Sequence, residues 1–173
     1  MLSLTRKTDY ALVALVSLSE DPGRARSARS LAESLRLPLP ALRNILQDLA
    51  RAGLLESAHG AGGGYLLARR ADEISITCVV EAIEGPVRLT LCCGPHARPR
   101  KGQDPEPVPC RLEDSCRIKG AIRQVHMNVV SMLSGVTVEH LATGEVPVVP
   151  AWGGQIEHKL RMQPHRHIAA ERP

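Results

Sequence analysis

Apolar residues recur with helical spacing three times in the first third of the chain. Between Leu4 and Leu18, the residues Ala11, Leu12, Leu15 and Val16 form one stripe; Thr5 or Thr8 can cap its start, and Asp21-Pro22-Gly23 ends it. Ala28, Leu31, Ala32 and Leu35 follow at i, i+3, i+4 and i+7, behind Ser27 as a cap. After a break at Arg36-Leu37-Pro38, Leu42, Ile45, Leu46 and Leu49 mark a third helix. Pro40 falls in its first turn, where a missing N–H costs little, and Gly53 closes it. The period then changes. Leu54-Leu55-Glu56-Ser57-Ala58 and Tyr65-Leu66-Leu67-Ala68 flank the glycine-rich turn from His59 to Gly64, which reads as a β-hairpin. Ser75 caps a fourth helix, with Ile76, Val79, Val80 and Ile83 inward and Gly85 at its end. Pro86 to Pro109 carries no period and reads as loop. A last, long helix is predicted from Arg117 to Ser134. Its apolar positions Ile118, Ile122, Val125, Val129 and Met132 step as a short coiled-coil seam.

These elements predict a mainly α fold with a small β-hairpin wing: a winged helix-turn-helix plus a long dimerisation helix. The expected parts are a DNA-binding domain over 1–85, a cysteine-bearing loop over 86–116, a dimerisation helix over 117–143 and a tail over 144–173. The tail is Pro-rich, then basic and His-containing, a composition expected to stay disordered. No internal repeat is visible.

Composition sharpens this reading in two places. With no Phe, one Trp and two Tyr among 173 residues, the core must be aliphatic. No apolar run approaches the roughly 20 residues of a membrane span, and the N-terminal residues do not read as a signal peptide. The chain is therefore expected to be soluble and cytoplasmic, with no membrane partner. The charge is uneven. Residues 1–70 hold 10 Lys/Arg against 6 Asp/Glu, whereas the remainder holds 12 of each sign, so the net +4 sits in the first part. A localised basic surface attracts phosphate backbones.

The order of three helices and a hairpin gives that charge a use. In a helix-turn-helix the second helix braces on the backbone and the third enters the major groove. With Leu42, Ile45, Leu46 and Leu49 inward, Pro40, Ala41, Arg43, Asn44 and Gln47 face outward. Arg pairs with guanine edges, and Asn or Gln with adenine. Lys7, Arg29 and Arg36 are candidate phosphate contacts. The wing offers His59 and Gly60 to the minor groove. On one helix alone, Arg43, Asn44 and Gln47 would read as an ordinary solvated face; their place in this order of elements makes them a reading face. A phosphate-cradling loop is the poorer reading of Gly60 to Gly64, which lacks the Gly-Lys-Ser/Thr ending of a P-loop.

Five cysteines, Cys78, Cys92, Cys93, Cys110 and Cys116, occur without a secretion signal, which argues for metal or redox chemistry over a disulfide framework. Cys92, Cys93, Cys110 and Cys116 flank the loop before the long helix. Thiolates ligate iron–sulfur clusters, zinc is the main chemical alternative, and a reversible disulfide switch is the next. Cys78 lies opposite the apolar stripe of its helix and reads as structural. His96 is a further candidate ligand.

The residues Leu4 to Leu12, the wing Gly60 to Arg69, Ile74-Ser75-Ile76 leading to Glu81-Ala82-Ile83-Glu84-Gly85, and Gly135 to Leu141 together resemble the Rrf-two family of bacterial transcription regulators. The resemblance covers roughly residues 1–144. The opening segment and Glu84-Gly85-Pro86-Val87 are most similar to regulators of SUF iron–sulfur assembly. The resemblance implies a homodimer joined through the long helix, binding to a roughly palindromic promoter operator, and a [2Fe-2S] or [4Fe-4S] cluster. It implies Cys110, Cys116 and one of Cys92 and Cys93 as ligands. The fourth ligand stays open between Cys93 and Asp9, the latter matching a carboxylate that nitric-oxide sensors of the family supply across the dimer. Where some members carry a ligating His, this chain has Lys119, and His59 stands where the family has Arg. The expected role is a repressor of iron–sulfur assembly genes and not an enzyme. A thiol enzyme on Cys92-Cys93, and a winged-helix module that binds protein instead of DNA, are the rival readings. Neither a Cys-x-x-Cys nor a recognisable general base supports the first, and the outward polar face of the third helix speaks against the second.

Overall fold

The computed structural model describes residues 4–58, 60, 63–93, 110–112 and 115–147. Among them the order is α1 (Arg6–Ser19), α2 (Ala28–Leu35), α3 (Leu39–Arg51), β1 (Leu55–Ala58), β2 (Gly64–Leu67), a 3-10 turn (Ala71–Glu73), α4 (Ile76–Glu84), α5 (Lys119–Gly135) and α6 (Val138–Thr143). This is the expected mainly α fold with a hairpin wing. The loop residues 94–109, with His96, lie outside the described residues, as do His59 and the tail from 148 onward.

Local chemistry starts and stops the helices. The Ser27 hydroxyl accepts the Ser30 N–H at 3.1 Å, and the Ser75 hydroxyl accepts the Cys78 N–H at 3.3 Å, each satisfying a donor that the first helical turn leaves unpaired. Arg36 ends α2 in the left-handed region at φ 54°, so its N–H turns back onto the last carbonyls. Pro40 sits in the first turn of α3.

The core forms where α1, α2, α3 and α4 meet, around Leu15, Leu31, Leu42, Leu46 and Leu49, and it is closed by Leu54, Ile74, Val79 and Val138. The predicted stripe of α3 is buried in full. Helix α1 differs: Ala14 and Leu18 are buried along with Ala11 and Leu15, while Leu12 and Val16 are only partly covered. The reason is that α1 is covered by α3, α4 and α6 together, which takes in a wider face than one stripe. Helix α4 is likewise packed on two sides. Its Thr77 is buried toward α5, where its hydroxyl meets the Ser134 hydroxyl at 2.9 Å.

The wing is an antiparallel pair in the register Leu55↔Leu67, Glu56↔Leu66, Ser57↔Tyr65 and Ala58↔Gly64. It does not stand alone. Arg26, between α1 and α2, exchanges both backbone hydrogen bonds with Tyr65 at 2.9 Å, adding a third edge to the hairpin. Gly64 permits this approach, because a Cβ there would overlap the Arg26 carbonyl.

The segment expected as one dimerisation helix contains two. Helix α5 stops at Gly135, Val136 is extended, and α6 restarts behind a capping box in which Thr137 and His140 satisfy each other's backbone N–H groups. The extended link pairs with the residues before α4: Ile76 N–H donates to Val136 O at 2.8 Å, and Val138 N–H donates to Ile74 O at 2.9 Å. Helix α6 then packs on α1.

Gly64→Ala forces β2 and the Arg26 carbonyl apart. It is expected to cost about 1–3 kcal/mol, the range for overpacking, read as a lower urea midpoint with an unchanged slope. An unaltered midpoint would show that the wing closes without this contact.

Candidate nucleic-acid interface and thiol site

Helix α3 presents Arg43, Asn44 and Gln47 to solvent, with Pro40 exposed and Ala41 half-buried at its start. Lys7 on α1, Arg29 on α2 and Arg36 at the end of α2 are exposed as well. None of the polar side chains in this set has a hydrogen bond or ion pair among the described residues. Their donors are therefore available to a ligand. Gly60, at the wing tip, is exposed with φ +108°, a conformation that glycine adopts without strain.

Not every cation of the head is available. The Arg26 guanidinium turns inward, donating to Ser17 O at 3.2 Å, Ser17 Oγ at 2.7 Å and Ser34 Oγ at 2.8 Å. It locks α1 to α2 and to the wing. Arg24, Arg51 and Arg70 are paired with Asp21, Asp48 and Asp72. Residue spacing gave no sign of the Arg26 role, because its partners lie on two different helices.

The cap of α1 is also long-range. Thr5 makes no side-chain cap bond. Instead Glu84, at the end of α4, accepts the Thr5 N–H at 2.9 Å and the hydroxyl of the fully buried Thr8. A carboxylate there complements the positive end of the helix. This contact ties the turn that carries Lys7 and Asp9 to the residue just before the loop that leads to the cysteines.

Cys92 and Cys93 are buried and brought together by one hydroxyl. Thr90 Oγ1 lies 3.1 Å from the Cys92 sulfur and 3.3 Å from the Cys93 sulfur. Both cysteines lean on α5: Cys93 donates to Ile122 O at 3.8 Å, and Arg123 Nε donates to Cys92 O at 3.1 Å. The Thr90 hydroxyl, then the Cys93 thiol, the backbone and the Arg123 charge, hold the Cys92 thiol below its ordinary pKa against the opposing effect of burial. Cys110 and Cys116 are half-buried ahead of α5, and Cys116 O accepts the Lys119 N–H at 3.4 Å. Cys78 is partly buried against the core and not on the face opposite the apolar stripe where the sequence placed it. Asp9 is exposed on the first turn of α1.

Donor chemistry and closure differ here. Cys92, Cys93 and Cys116 contact the first two turns of α5, and with Cys110 they form a soft donor set of the kind that holds iron and sulfide. Yet among the described residues no three His, Cys, Asp or Glu side chains stand where they could share one metal ion. Cys92 and Cys93 meet; Cys110, Cys116 and Asp9 do not join them as a ligand group.

A three-helix head with a two-stranded wing, and an unpartnered polar face on the third helix, defines a winged helix-turn-helix DNA-binding module. The chain belongs to the Rrf2 family: the family profile, described as Iron-dependent Transcriptional regulator, matches residues 4–144. It is a transcription regulator and not an enzyme. It is 30% identical over 160 residues to the HTH-type transcriptional regulator IscR of Photorhabdus laumondii, covering 91% of this chain and 89% of that protein. It is 29% identical over 145 residues to the HTH-type transcriptional regulator NsrR of Shouchella clausii, covering 83% and 91%. Its fold is similar to that of CymR (YrzC), the global cysteine regulator of B. subtilis, with a TM-score of 0.58 and 26% identity over 83% of this chain and 98% of that one. No helix among the described residues is long and apolar enough to cross a membrane.

Removing the shared hydroxyl should raise the Cys92 pKa. In metal-free protein, the pH profile of Cys92 alkylation, followed by peptide mass spectrometry, is expected to move to higher pH in Thr90→Val. A profile that stays in place would remove Thr90 as the cause.

Proposed function

We propose that this regulator represses iron–sulfur assembly genes, binding a roughly palindromic operator as a homodimer with α3 in each major groove. The observation that carries the DNA reading is the α3 face: Arg43, Asn44 and Gln47 are exposed and unpartnered among the described residues, opposite a stripe buried in full. Bidentate pairing of such side chains with base edges discriminates by about 1–3 kcal/mol each. Lys7, Arg29 and Arg36 add phosphate contacts, and Gly60 with His59 brings the wing to the minor groove.

The dimer reading is supported by α5. Ile118, Val125 and Met132 recur every seven residues and are exposed in the single chain, at 63%, 37% and 45%. Apolar side chains repeating at that period on one helix are the seam of a helix pair. Two heads so joined would address half-sites about 34–36 Å apart, or a multiple of that.

The sensor we propose is an iron–sulfur cluster. Cys110, Cys116 and one of Cys92 and Cys93 would hold it, with the other vicinal cysteine or the partner subunit's Asp9 as the fourth ligand. Such a group supplies sensitivity to iron supply and to oxidants. The protein's own part would be mechanical: Cys92, Cys93 and Cys116 contact the first turns of α5, so ligation there would set how that helix leaves the head. A second reading is favoured by one observation, the sharing of Thr90 by two buried sulfurs with no third ligand among the described residues: the same thiols sense directly, or through zinc.

Two measurements test this. Arg43→Ala and Asn44→Ala should each weaken binding to a duplex from the chain's own promoter about 5- to 150-fold by fluorescence anisotropy, with thermal stability unchanged. Undiminished binding would remove α3 as the reading helix. Protein purified without oxygen should contain iron and acid-labile sulfide and absorb visible light, and Cys116→Ser should lose all three. A colourless product that still binds the duplex would move sensing to zinc or to the thiols.

A further inference from the structure

Neighbouring residues of an extended chain point their side chains to opposite faces. Cys92 and Cys93 do not. A turn closed by the Cys93 N–H on Thr90 O at 3.0 Å brings both to one side. There the Thr90 hydroxyl lies 3.1 Å from one sulfur and 3.3 Å from the other, and the two thiols hydrogen-bond to each other. Among the described residues no third ligand stands beside them. Cys93 is closed to solvent, whereas Cys92 keeps 9% of its surface open and Leu91 beside it is 51% exposed.

The number of sulfurs selects the ligand chemistry. Zinc and the irons of a cluster are held by four donors in a tetrahedron, so the pair alone supplies half of such a set. Trivalent arsenic makes three bonds, and its lone pair keeps them near right angles. The short peptide between neighbouring cysteines can span that narrower opening. Inorganic arsenite would still need a third sulfur to complete its set. A monoorgano-arsenic(III) compound carries carbon on the third bond and needs two sulfurs. Its dithiolate is neutral, so the site requires no compensating charge, and Leu91 offers apolar surface to the organic group.

We propose that Cys92 and Cys93 form a binding site for monoorgano-arsenic(III) compounds. Cys92, the more open sulfur, bonds first. Cys93 then releases its long contact with Ile122 O, 3.8 Å, and closes the ring. In a compound R–As(OH)2, two As–O bonds break and two As–S bonds form. Each thiol proton leaves with one arsenic hydroxyl as water. Arsenic stays trivalent, so the step needs no oxidant or reductant. The second bond forms within the molecule, at an effective concentration on the order of millimolar, so the chelate outlasts a single As–S bond. The site requires neither the cluster nor the operator, and its test uses the full chain without DNA.

The reduced, iron-free full chain is mixed with an equal amount of phenylarsine oxide, which hydrates to the dihydroxy form, in excess glutathione. Intact mass is expected to show one phenylarsenic group per chain, with two hydrogens lost. Alkylation of this adduct in urea should mark Cys78, Cys110 and Cys116 and spare Cys92 and Cys93, whereas the ligand-free chain is marked at all five cysteines. That map comes from the unmodified chain, so it stands even where a serine variant misfolds. Cys92→Ser and Cys93→Ser should each weaken binding at least about 100-fold, the loss of the second bond. The double variant Cys110→Ser/Cys116→Ser should bind as the parent does. With glutathione left out, arsenite should bind more weakly than phenylarsine oxide. The proposal is overturned if no adduct forms, if another pair of cysteines is spared, or if either single variant binds undiminished. Arsenite binding as tightly as phenylarsine oxide overturns it too, because a third sulfur then takes part.

Discussion

The architecture depends on a short antiparallel contact between Ile74–Ile76 and Val136–Val138. Two backbone hydrogen bonds, 2.8 and 2.9 Å long, make it, and the fully buried Ile74 and Val138 side chains flank it. Each such bond is worth only about 1 kcal/mol net, but a buried N–H left without a partner costs about 1–3 kcal/mol, so the contact resists opening. Ser75 and Thr137 face each other across it, and each also caps the helix that follows. One element thereby starts α4, ends α5, starts α6 and holds α5 to the head. Thr77 and Ser134 extend the hold by one more hydrogen bond. The C-terminal end of α5 is anchored, and its N-terminal end is where the cysteines meet it.

Charge placement follows a similar economy. Residues 1–70 carry the whole net positive charge of the chain, but several of their cations are occupied internally. Arg26 is a bracket joining α1, α2 and the wing, and three further arginines sit in exposed ion pairs that contribute little to stability. The cations left for a phosphate backbone are those on the outer faces of α1, α2 and α3. Counting charges along the sequence overstates the available field, and the hydrogen-bond inventory corrects it. Asn44 and Gln47, which carry no charge, matter as much, because base edges are read by donor and acceptor pattern.

Elements with local causes were legible in the sequence. The α3 stripe, the Ser27 and Ser75 caps, the Pro40 position and the glycine-rich wing each depend on residues within a few positions of one another. What the sequence hid is long-range. The Thr8–Glu84 contact joins residues 76 positions apart, and Thr77 is buried because α5 returns to α4 from far along the chain. Helix α6 was hidden for another reason: it is one short turn-and-a-half whose start depends on a Thr137–His140 box and on the bridge to Ser75. For the candidate sites the division is the same. Exposure of Arg43, Asn44 and Gln47 follows from helical period alone. The gathering of sulfurs does not: adjacency in sequence brought Cys92 and Cys93 to one hydroxyl, and spacing could not say how Cys110 and Cys116 stand to them.

The vicinal pair constrains any account of sensing. Two sulfurs on neighbouring residues rarely satisfy one metal ion together, because the short peptide between them cannot open the angle that a tetrahedral centre needs. At a metal centre one of the two would therefore be the ligand, and the other would be left as a hydrogen-bonding neighbour. The contacts distinguish them: Cys93 is held to the Ile122 carbonyl, whereas Cys92 has the lowered pKa and contacts α5 through its backbone. A change in ligation or oxidation at either sulfur bears on the same turn of α5, beside Ile122 and Arg123. That helix runs 17 residues, about 25 Å, to the anchored end at Val136. A rigid rod fixed at one end converts a change at the other into a change of angle between the two heads of the proposed dimer. Regulation then requires only that the two angles differ in fit to the spacing of the operator's half-sites, since a ligand or oxidant shifts DNA binding no further than its own preference between the two states. Cluster, zinc and thiol sensing would all use this lever; they would differ in what acts on the cysteines, not in what the helix does next.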